Sequence, residues 1–266
     1  MRTFRFSRKN LSIPYVIFLA VFVVIPLFVL VYYAFTDRDG HVSLRNFIGF
    51  FTDPNTLGTL FYSIVIALTT TLVCLAIAYP TAYILAKSRV KRKSAMLLVF
   101  ILPMWINFSL RITALKEILT VLEENIAYYP FLNAVIGMTY DFLPFMILPI
   151  YTTISRLDPS LIEAAKDLGA NDVDAFFKIT LPLSVPGIVS GVAMVFLPAM
   201  TNYVVLDMLY NSTYIMGSLI GSYFAAYNWN GGSLIALILL LLICVFTYLT
   251  RNLEDEDQRA GGGALL

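Results

Sequence analysis

The stretch LDPSLIEAAKDLGANDVDAFFKITLPLSVPG, residues 157–187, is the longest polar interruption in a sequence that otherwise alternates apolar runs with short loops. Asp158 followed by Pro159 suits a helix start, because aspartate caps the free N–H groups of the first turn and proline fits the first helical position. Gly169 suits the end of that helix, where a left-handed residue is common. These signals predict a short helix that ends at a glycine joint.

A second short helix is predicted after the joint. Asn171 can cap it, and the pattern runs through Lys178. Pro182 and Pro186 are then expected to stop it and to set the angle at which the next apolar run begins. We call residues 157–187 the polar connector and interpret it as a helix–turn–helix, not as a membrane span.

Two interpretations of Glu163 stay open. Ser160-x-x-Glu163 has the spacing of a capping box, in which the glutamate serves its own helix. Alternatively, Glu163 belongs to a docking surface together with the small residues Ala164 and Ala165, which let another surface approach the helix closely. The connector carries charges of both signs, whereas helices that lie on lipid usually have a face rich in Lys and Arg. This mixture favours a protein partner.

The composition indicates an all-α polytopic membrane protein. Of 266 residues, 59% are hydrophobic and 13% are charged, about half the charged fraction of a typical soluble domain. A signal peptide is the alternative for the first apolar run, but its length and the absence of a small-residue cleavage site favour an uncleaved span with a kink at Pro26. Six transmembrane helices are predicted, at residues 13–35, 57–85, 95–115, 132–154, 188–209 and 233–250.

The distribution of Lys and Arg predicts the orientation. With the N-terminus inside, the four inside segments contain four, five, three and two basic residues, and the outside segments together contain four. Both termini and the polar connector are therefore expected in the cytoplasm. The predicted organisation is a basic N-terminal segment (1–12), a transmembrane permease domain (13–250) and a cytoplasmic tail (251–266), which we expect to be disordered.

The loops are predicted to be simple, with one exception. Residues 36–56 and 116–130 are expected to be polar loops. The loop 210–232 contains an apolar stretch, 214–226, that predicts a short interfacial or re-entrant helix.

The residue types that carry catalysis or bind cofactors are scarce. The single histidine, His41, lies in a polar loop, and Cys74 and Cys244 lie inside apolar runs, where thiols usually serve packing. No metal site and no cofactor are predicted. The sequence contains no G-x-x-x-x-G-K-[ST] loop for ATP phosphates.

The polar connector resembles the EAA signature of ATP-binding-cassette importer permeases. The shared features are Glu163-Ala164-Ala165, then Gly169, then Leu181-Pro182 at the corresponding spacing. The resemblance implies a type I importer permease fold in which these six residues couple the permease to a cytoplasmic ATPase dimer. It also implies a companion permease subunit, an extracytoplasmic solute-binding protein and a bacterial inner-membrane location.

Other segments resemble the polyamine-importing members of that family, namely residues 102–107, 143–151 and 197–207. That resemblance implies import of spermidine or putrescine. A path for such polycations needs carboxylates and aromatic faces, because ammonium groups gain from charge pairing and cation–π contacts.

Five residues are candidates for the substrate pathway. An acid within a membrane span is a functional candidate by default, and Asp207 matches an aspartate of the polyamine permease pattern, so it ranks above Asp141. The remaining candidates are Trp105, Asn107 and Tyr203.

Alternatives remain for several of these residues. Asp141 can equally form a local ion pair or hydrogen bond, and Trp105 can be a tryptophan of the membrane–water interface. Arg111 is expected to pair with an acid or to mark the outer boundary of the span, and it has no substrate role here.

Other function classes fit less well. A secondary transporter would need deep coupling acids or internal repeats, and only Asp141 is a mid-span acid. A membrane enzyme would need a metal cluster or a nucleophile–histidine pair. A permease for another cationic or neutral solute is the remaining alternative.

Overall fold

The computed structural model describes residues 8–88, 92–123, 128–210 and 215–262. These residues are almost entirely helical, apart from short connections and one isolated bridge between Thr36 and Val42. The α-helices are α1 (Arg8–Leu19), α2 (Ile25–Ala34), α3 (Arg45–Thr52), α4 (Pro54–Lys87), α5 (Lys93–Ile101), α6 (Phe108–Glu123), α7 (Pro130–Arg156), α8 (Pro159–Asp167), α9 (Asp172–Ala175), α10 (Leu181–Ala199), α11 (Tyr203–Tyr210), α12 (Met216–Ala225) and α13 (Trp229–Gly262).

Within the described part of the chain, five helical segments are long and apolar enough to cross a membrane. They are Ile13–Ala34, Pro54–Lys87, Pro130–Arg156, Asp172–Ala199 and Trp229–Thr250. A bent pair, Ala95–Trp105 with Phe108–Glu123, makes a sixth if it is taken as one broken span. This agrees with the predicted all-α class and with six spans at most.

The first span contains an irregular turn next to Pro26. A π-helical turn, Ala20–Val24, separates α1 from α2, and the N–H of Ile25 donates to the carbonyl oxygen of Ala20. Proline has no N–H and its ring crowds the preceding turn, so a wider turn before it relieves the clash. The disturbance predicted at Pro26 therefore takes the form of a π turn.

The third span, predicted at 95–115, is broken next to Pro103. A 3-10 turn, Leu102–Trp105, follows α5, and the two halves bend by 93°. Pro103 lies in this turn, and Asn107 starts α6 by accepting a hydrogen bond from the N–H of Ser109 at 2.9 Å. Because α6 then runs to Glu123, residues 116–123 of the predicted loop 116–130 are helical; residues 124–127 lie outside the described part of the chain.

The fifth span begins earlier than predicted and breaks before its expected end. Helix runs from Asp172 to Ala199, and α11 follows after residues 200–202. Pro182 and Pro186 do not stop the second short helix, contrary to prediction. Residues 172–187 of the polar connector are therefore the first part of the helix Asp172–Ala199, and the prediction of a separate second short helix was wrong. A π turn, Phe176–Thr180, precedes Pro182, and the N–H of Leu181 bonds to the carbonyl of Phe176 instead. The wider turn carries the helix past the proline ring.

Several predicted boundaries shift outward. The spans predicted at 57–85, 132–154 and 233–250 lie within the longer helices α4, α7 and α13. The loop 36–56 contains α3, and α12 confirms the short helix in the loop 210–232, although residues 211–214 lie outside the described part. The prediction that residues 251–266 are disordered was wrong for residues 251–262, because α13 continues to Gly262. Residues 263–266 are outside the described part.

The chain divides into two compact units. The first comprises Met1–Gly58 and Ser218–Leu242. In it, the side-chain amide of Asn230 donates to the carbonyl oxygens of Thr36 at 2.8 Å and Tyr33 at 3.1 Å. These bonds place the end of the first span beside the start of the last, which is the arrangement that an even number of spans requires.

The second unit comprises Thr59–Gly217 and Ile243–Leu266, and its core forms around α7. Small residues let the neighbouring helices approach: Gly191 of α10 lies against Met146, and a side chain at Gly187 would collide with Thr153. Close approach at small residues is the usual way in which helices pack within membranes. This packing fixes α10, and the break that follows it, against α7.

Candidate functional site

The start of the polar connector is a capped helix. Asp158 accepts a hydrogen bond from the N–H of Ser160 at 2.9 Å, and Pro159 occupies the first helical position. The backbone hydrogen bond from Ser160 holds the pKa of the Asp158 carboxyl below its usual value. Both predicted start signals are confirmed.

The glycine joint is a Schellman motif. Gly169 has φ of +89°. Its N–H donates to the carbonyl of Lys166 at 2.9 Å, and the N–H of Ala170 donates to that of Ala165 at 3.0 Å. These are the two bonds that define the motif, so the predicted helix end at Gly169 is confirmed.

The capping-box interpretation of Glu163 was wrong. With Asp158 as the cap, the third helical position is Leu161, whereas the box needed Ser160 as the cap and Glu163 at the third position. Glu163 lies on the exposed surface of α8. Its carboxylate is therefore presented to the surroundings and does not close the helix start.

An ion pair links α8 to α9 across the glycine joint. Lys166 and Asp172 form an ion pair of 2.6 Å, and Asn171 caps α9 by accepting from the N–H of Asp174 at 2.8 Å. The hydrogen bond to Asp172 raises the pKa of the Lys166 ammonium. Ion pairs as exposed as this one contribute little to stability, so the capping bonds and Gly169 fix the shape of the joint.

The polar connector contacts α4 through one aromatic ring and exposes other large apolar side chains. The ring of Phe176 meets Tyr79 and Tyr83 of α4 edge-on at 5.9 and 5.2 Å. Leu168 is 90% exposed, and Phe177 is 59% exposed although its ring contacts that of Phe176 at 4.9 Å. The connector thus presents large apolar side chains from a base that is fixed to the transmembrane helices.

The remaining EAA-signature residues occupy two places. Ala164 is exposed and Ala165 is partly exposed on α8. Leu181 and Pro182 are instead the first two residues of α10. The signature therefore extends from the surface of α8 into the long helix Asp172–Ala199.

Replacing Gly169 with alanine tests the joint. No atom lies within 4 Å of a Cβ built at Gly169, so the cost comes from the left-handed backbone alone and is about 1 kcal/mol. We expect faster hydrogen exchange at the amides of Gly169 and Ala170. Gly58→Ala is the matched control, because Gly58 also has no neighbour within 4 Å but lies in a helix with an ordinary φ. Equal protection in the Gly169 variant would contradict this account.

The acid Asp141 is part of a buried ion pair. Its Oδ1 accepts from Arg111 Nη2 at 2.7 Å, and the two side chains are 10% and 6% exposed, respectively. Its Oδ2 lies 3.5 Å from the amide nitrogen of Asn202. Of the two interpretations of Asp141, the local pair is therefore the one observed, and the expected pairing of Arg111 with an acid is confirmed.

Aromatic rings complete the surroundings of Arg111. Its guanidinium carbon lies 5.9 Å from the centre of the Phe108 ring and 5.7 Å from that of Tyr140. Its Nε and Nη1 atoms are buried and have no hydrogen-bond partner among the described residues. Cation–π contact and the Asp141 carboxylate thus supply the compensation for this charge.

Asn202 was not among the sequence candidates. The available signal was its place directly after Pro198-Ala199-Met200-Thr201, a polar residue where a proline-containing helix can break. The N–H groups of Thr201 and Asn202 both bond to the carbonyl of Pro198. This turn ends the helix and leaves the Asn202 amide directed towards α7.

The candidates Tyr203 and Asp207 share one exposed face of α11. They are four residues apart, and both are exposed. The opposite face holds the buried residues Val205 and Leu209, which pack on Gly137 of α7. Asp207 makes no ion pair with any described residue, so an unpaired carboxylate and an aromatic ring point away from α7 together.

Trp105 and Asn107 lie at the break of the third span. Trp105 is 80% exposed at the end of the 3-10 turn. The amide oxygen of Asn107 is occupied by the first turn of α6, where it accepts from Ser109. Both side chains are exposed, but the Asn107 amide oxygen serves the start of α6.

Comparison with known proteins adds three findings. Residues 78–256 match the family described as "Binding-protein-dependent transport system inner membrane component". The spermidine/putrescine transport system permease protein PotB of Haemophilus influenzae is 34% identical, with 88% of this chain and 90% of that protein covered. PotB of Escherichia coli strain K12 is 35% identical, with coverage of 72% and 76%.

Solved structures show the same fold. A chain of the bacterial alginate ABC transporter, crystallised with a periplasmic protein bound to an alginate pentasaccharide, superposes with a TM-score of 0.71 at 14% identity. The match covers 92% of this chain and 94% of that one. At this identity the likeness concerns the fold alone.

Proposed function

This chain belongs to the family of binding-protein-dependent transport system inner membrane components, and from that premise we propose that it is a permease subunit of an ATP-driven importer of polyamines. The observation that carries the substrate is the 34% identity to a spermidine/putrescine permease over nearly its whole length. Members of this family transport solutes and leave ATP hydrolysis to a separate subunit. Spermidine and putrescine are flexible polycations, which suit a path lined with carboxylates and aromatic rings.

The exposed face of α11 is the substrate contact that we propose. Tyr203 offers an aromatic face and Asp207 an unpaired carboxylate, both exposed on the side of α11 away from α7. Trp105, exposed at the other helix break, is proposed to line the same path. Asp141 is withdrawn from direct contact, because Arg111 already neutralises it.

Uptake by an Asp207→Asn variant tests this assignment. We expect the uptake of spermidine to fall about tenfold, since a charge-assisted contact with an ammonium group is lost. Uptake is measured in vesicles that contain the assembled importer and are supplied with loaded binding protein. The matched control is Asp39→Asn, an exposed acid in the loop after the first span. Wild-type uptake kinetics in the Asp207 variant would remove this residue from the pathway.

The polar connector is the proposed docking surface for a cytoplasmic ATPase dimer. Phe176 of the connector packs against Tyr79 and Tyr83 of α4 and would transmit force to that helix. The exposed residues Glu163, Ala164 and Leu168 are proposed to contact the ATPase. Leu181 and Pro182 then pass the movement into α10, because they begin that helix.

The proposed assembly contains a PotC-like companion permease and an extracytoplasmic solute-binding protein. Residues 13–250 form the membrane domain, and the terminal segments 1–12 and 251–266 lie in the cytoplasm with the connector. The orientation follows from the excess of Lys and Arg in those segments. A panel of binding proteins loaded with different solutes tests the substrate: stimulation of the ATPase by a solute other than a polyamine would redirect the proposal within the same importer class.

A further inference from the structure

The ion pair between Arg111 and Asp141 lies where two broken helices meet an unbroken one. Arg111 is in the first turn of α6, directly after the break at residues 102–107, and Asn202 ends the break between α10 and α11. Asp141 is in the middle of α7, which is continuous from Pro130 to Arg156. One carboxylate therefore contacts both helix restarts, with its Oδ1 on Arg111 and its Oδ2 on Asn202.

We propose that Arg111, Asp141 and Asn202 are positioning residues that set the orientation of the two helix restarts, and through them of the substrate-contact face. This inference rests on the proposed function, since the face is defined by Tyr203 and Asp207. None of the three residues is assigned a contact with substrate.

The breaks need a directional contact because they interrupt the helical hydrogen-bond ladder. Between Ala199 and Tyr203 the backbone forms a turn in which the N–H groups of Thr201 and Asn202 bond to the carbonyl of Pro198. The helix that follows, α11, is short, with eight residues. Packing of Val205 and Leu209 on Gly137 holds α11 close to α7. Apolar packing is not directional, so it resists separation more than rotation. A hydrogen bond at Asn202, directly before Tyr203, resists rotation.

The same geometry distinguishes positioning from substrate binding at Asp141. Both carboxylate oxygens are directed at donors of this chain, and the side chain is 10% exposed. A cationic substrate would have to displace Arg111, which would leave a guanidinium unpaired among apolar helices. The carboxylate acts on the pathway through α6 and α11.

The deciding quantity is uptake per ATP hydrolysed, measured on the importer assembled with its ATPase, companion permease and binding protein. A variant that merely lowers the amount of folded protein reduces uptake and ATP hydrolysis together and leaves this ratio unchanged. We expect Asn202→Ala to lower the ratio about fivefold, the scale of one ordinary hydrogen bond of about 1 kcal/mol, because the contact to Asp141 is long at 3.5 Å. Asn202→Gln, which keeps the amide donor, should retain more of the ratio.

Asn133→Ala is the matched structural control. Asn133 is an amide of the second unit, on α7, and it donates to Glu123 at 2.8 Å; its side chain is buried, whereas that of Asn202 is partly exposed. Its loss removes a contact between α7 and the end of α6, remote in sequence from α11. We expect the ratio in this variant to equal that of the unaltered chain.

A doubly neutral variant, Arg111→Gln with Asp141→Asn, separates the two roles of Asp141. Two amides can still hydrogen-bond with each other and with Asn202, so positioning predicts a ratio within about twofold of the unaltered chain. A loss equal to that of Asp207→Asn would instead make Asp141 a substrate acid and overturn the inference. An unchanged ratio in Asn202→Ala would overturn it as well.

Failure of the proposed function gives a different result. In that case the unaltered chain shows no polyamine uptake, and the ratio is then measured with whichever solute stimulates the ATPase.

Discussion

Replacing Asp141 with asparagine is expected to remove most of the assembled protein from the membrane. The substitution leaves Arg111 buried with no carboxylate, and breaking a buried pair from one side costs about 3–5 kcal/mol. Two nitrogen atoms of Arg111 already have no hydrogen-bond partner among the described residues, so little compensation remains. The amount of assembled importer and its thermal unfolding in detergent measure the effect.

Two control variants show whether the cause is the unpaired charge. Asp207→Asn removes an exposed acid that makes no ion pair with a described residue, and it should leave the thermal unfolding unchanged while uptake falls. Adding Arg111→Gln to Asp141→Asn should restore most of the lost protein, because it removes the isolated charge. If the single variant at Asp141 is as abundant and as stable as the unaltered chain, the ion pair between Arg111 and Asp141 does not contribute to the stability of the protein.

Replacing Leu168 with aspartate is expected to weaken docking of the ATPase and so to remove most transport together with stimulation of the ATPase. Leu168 is 90% exposed and lies at the glycine joint, so the substitution costs the isolated chain almost nothing. At the proposed ATPase interface it would bury a carboxylate where an apolar side chain docks, and such central positions change affinity by about tenfold or more. Uptake should fall at least tenfold while the amount of permease in the membrane stays normal.

A matched substitution identifies the interface as the cause. Val42 is 85% exposed in the loop after the first span. Val42→Asp therefore also replaces an exposed apolar side chain with a carboxylate, but outside the connector. We expect it to leave stimulation of the ATPase intact. Stimulation that is equally intact in Leu168→Asp would show that the exposed side of the connector does not meet the ATPase.

Local sequence patterns predicted the polar connector correctly wherever its hydrogen bonds are local. The cap at Asp158 and the Schellman bonds at Gly169 join residues at most five apart, so the amino acids at those positions are sufficient to specify them. The sequence was ambiguous where two local patterns overlapped. Asp158 and Ser160 could each begin the helix, and the choice of Asp158 released Glu163 from a capping role.

Proline gave the least reliable signal. Pro103 lies at a real break, whereas Pro182 and Pro186 lie within a helix that continues through a π turn. The difference depends on whether neighbouring helices support the wider turn. Phe176 within that π turn is held by Tyr79 and Tyr83 of α4, a contact that no local pattern contains.

The sequence by itself determined the membrane class, the approximate spans, the first helix of the connector with its glycine joint, and the family resemblance, because each depends on composition or on neighbours within a few residues. Only the tertiary structure decided which acid is paired and which is available. Asp141 and Asp207 are both acids in apolar surroundings. Arg111 and Asn202 reach Asp141 across 30 and 61 residues, and the face on which Asp207 lies follows from the packing of α11 on α7. Such long-range contacts form only when the breaks have brought separate helices together.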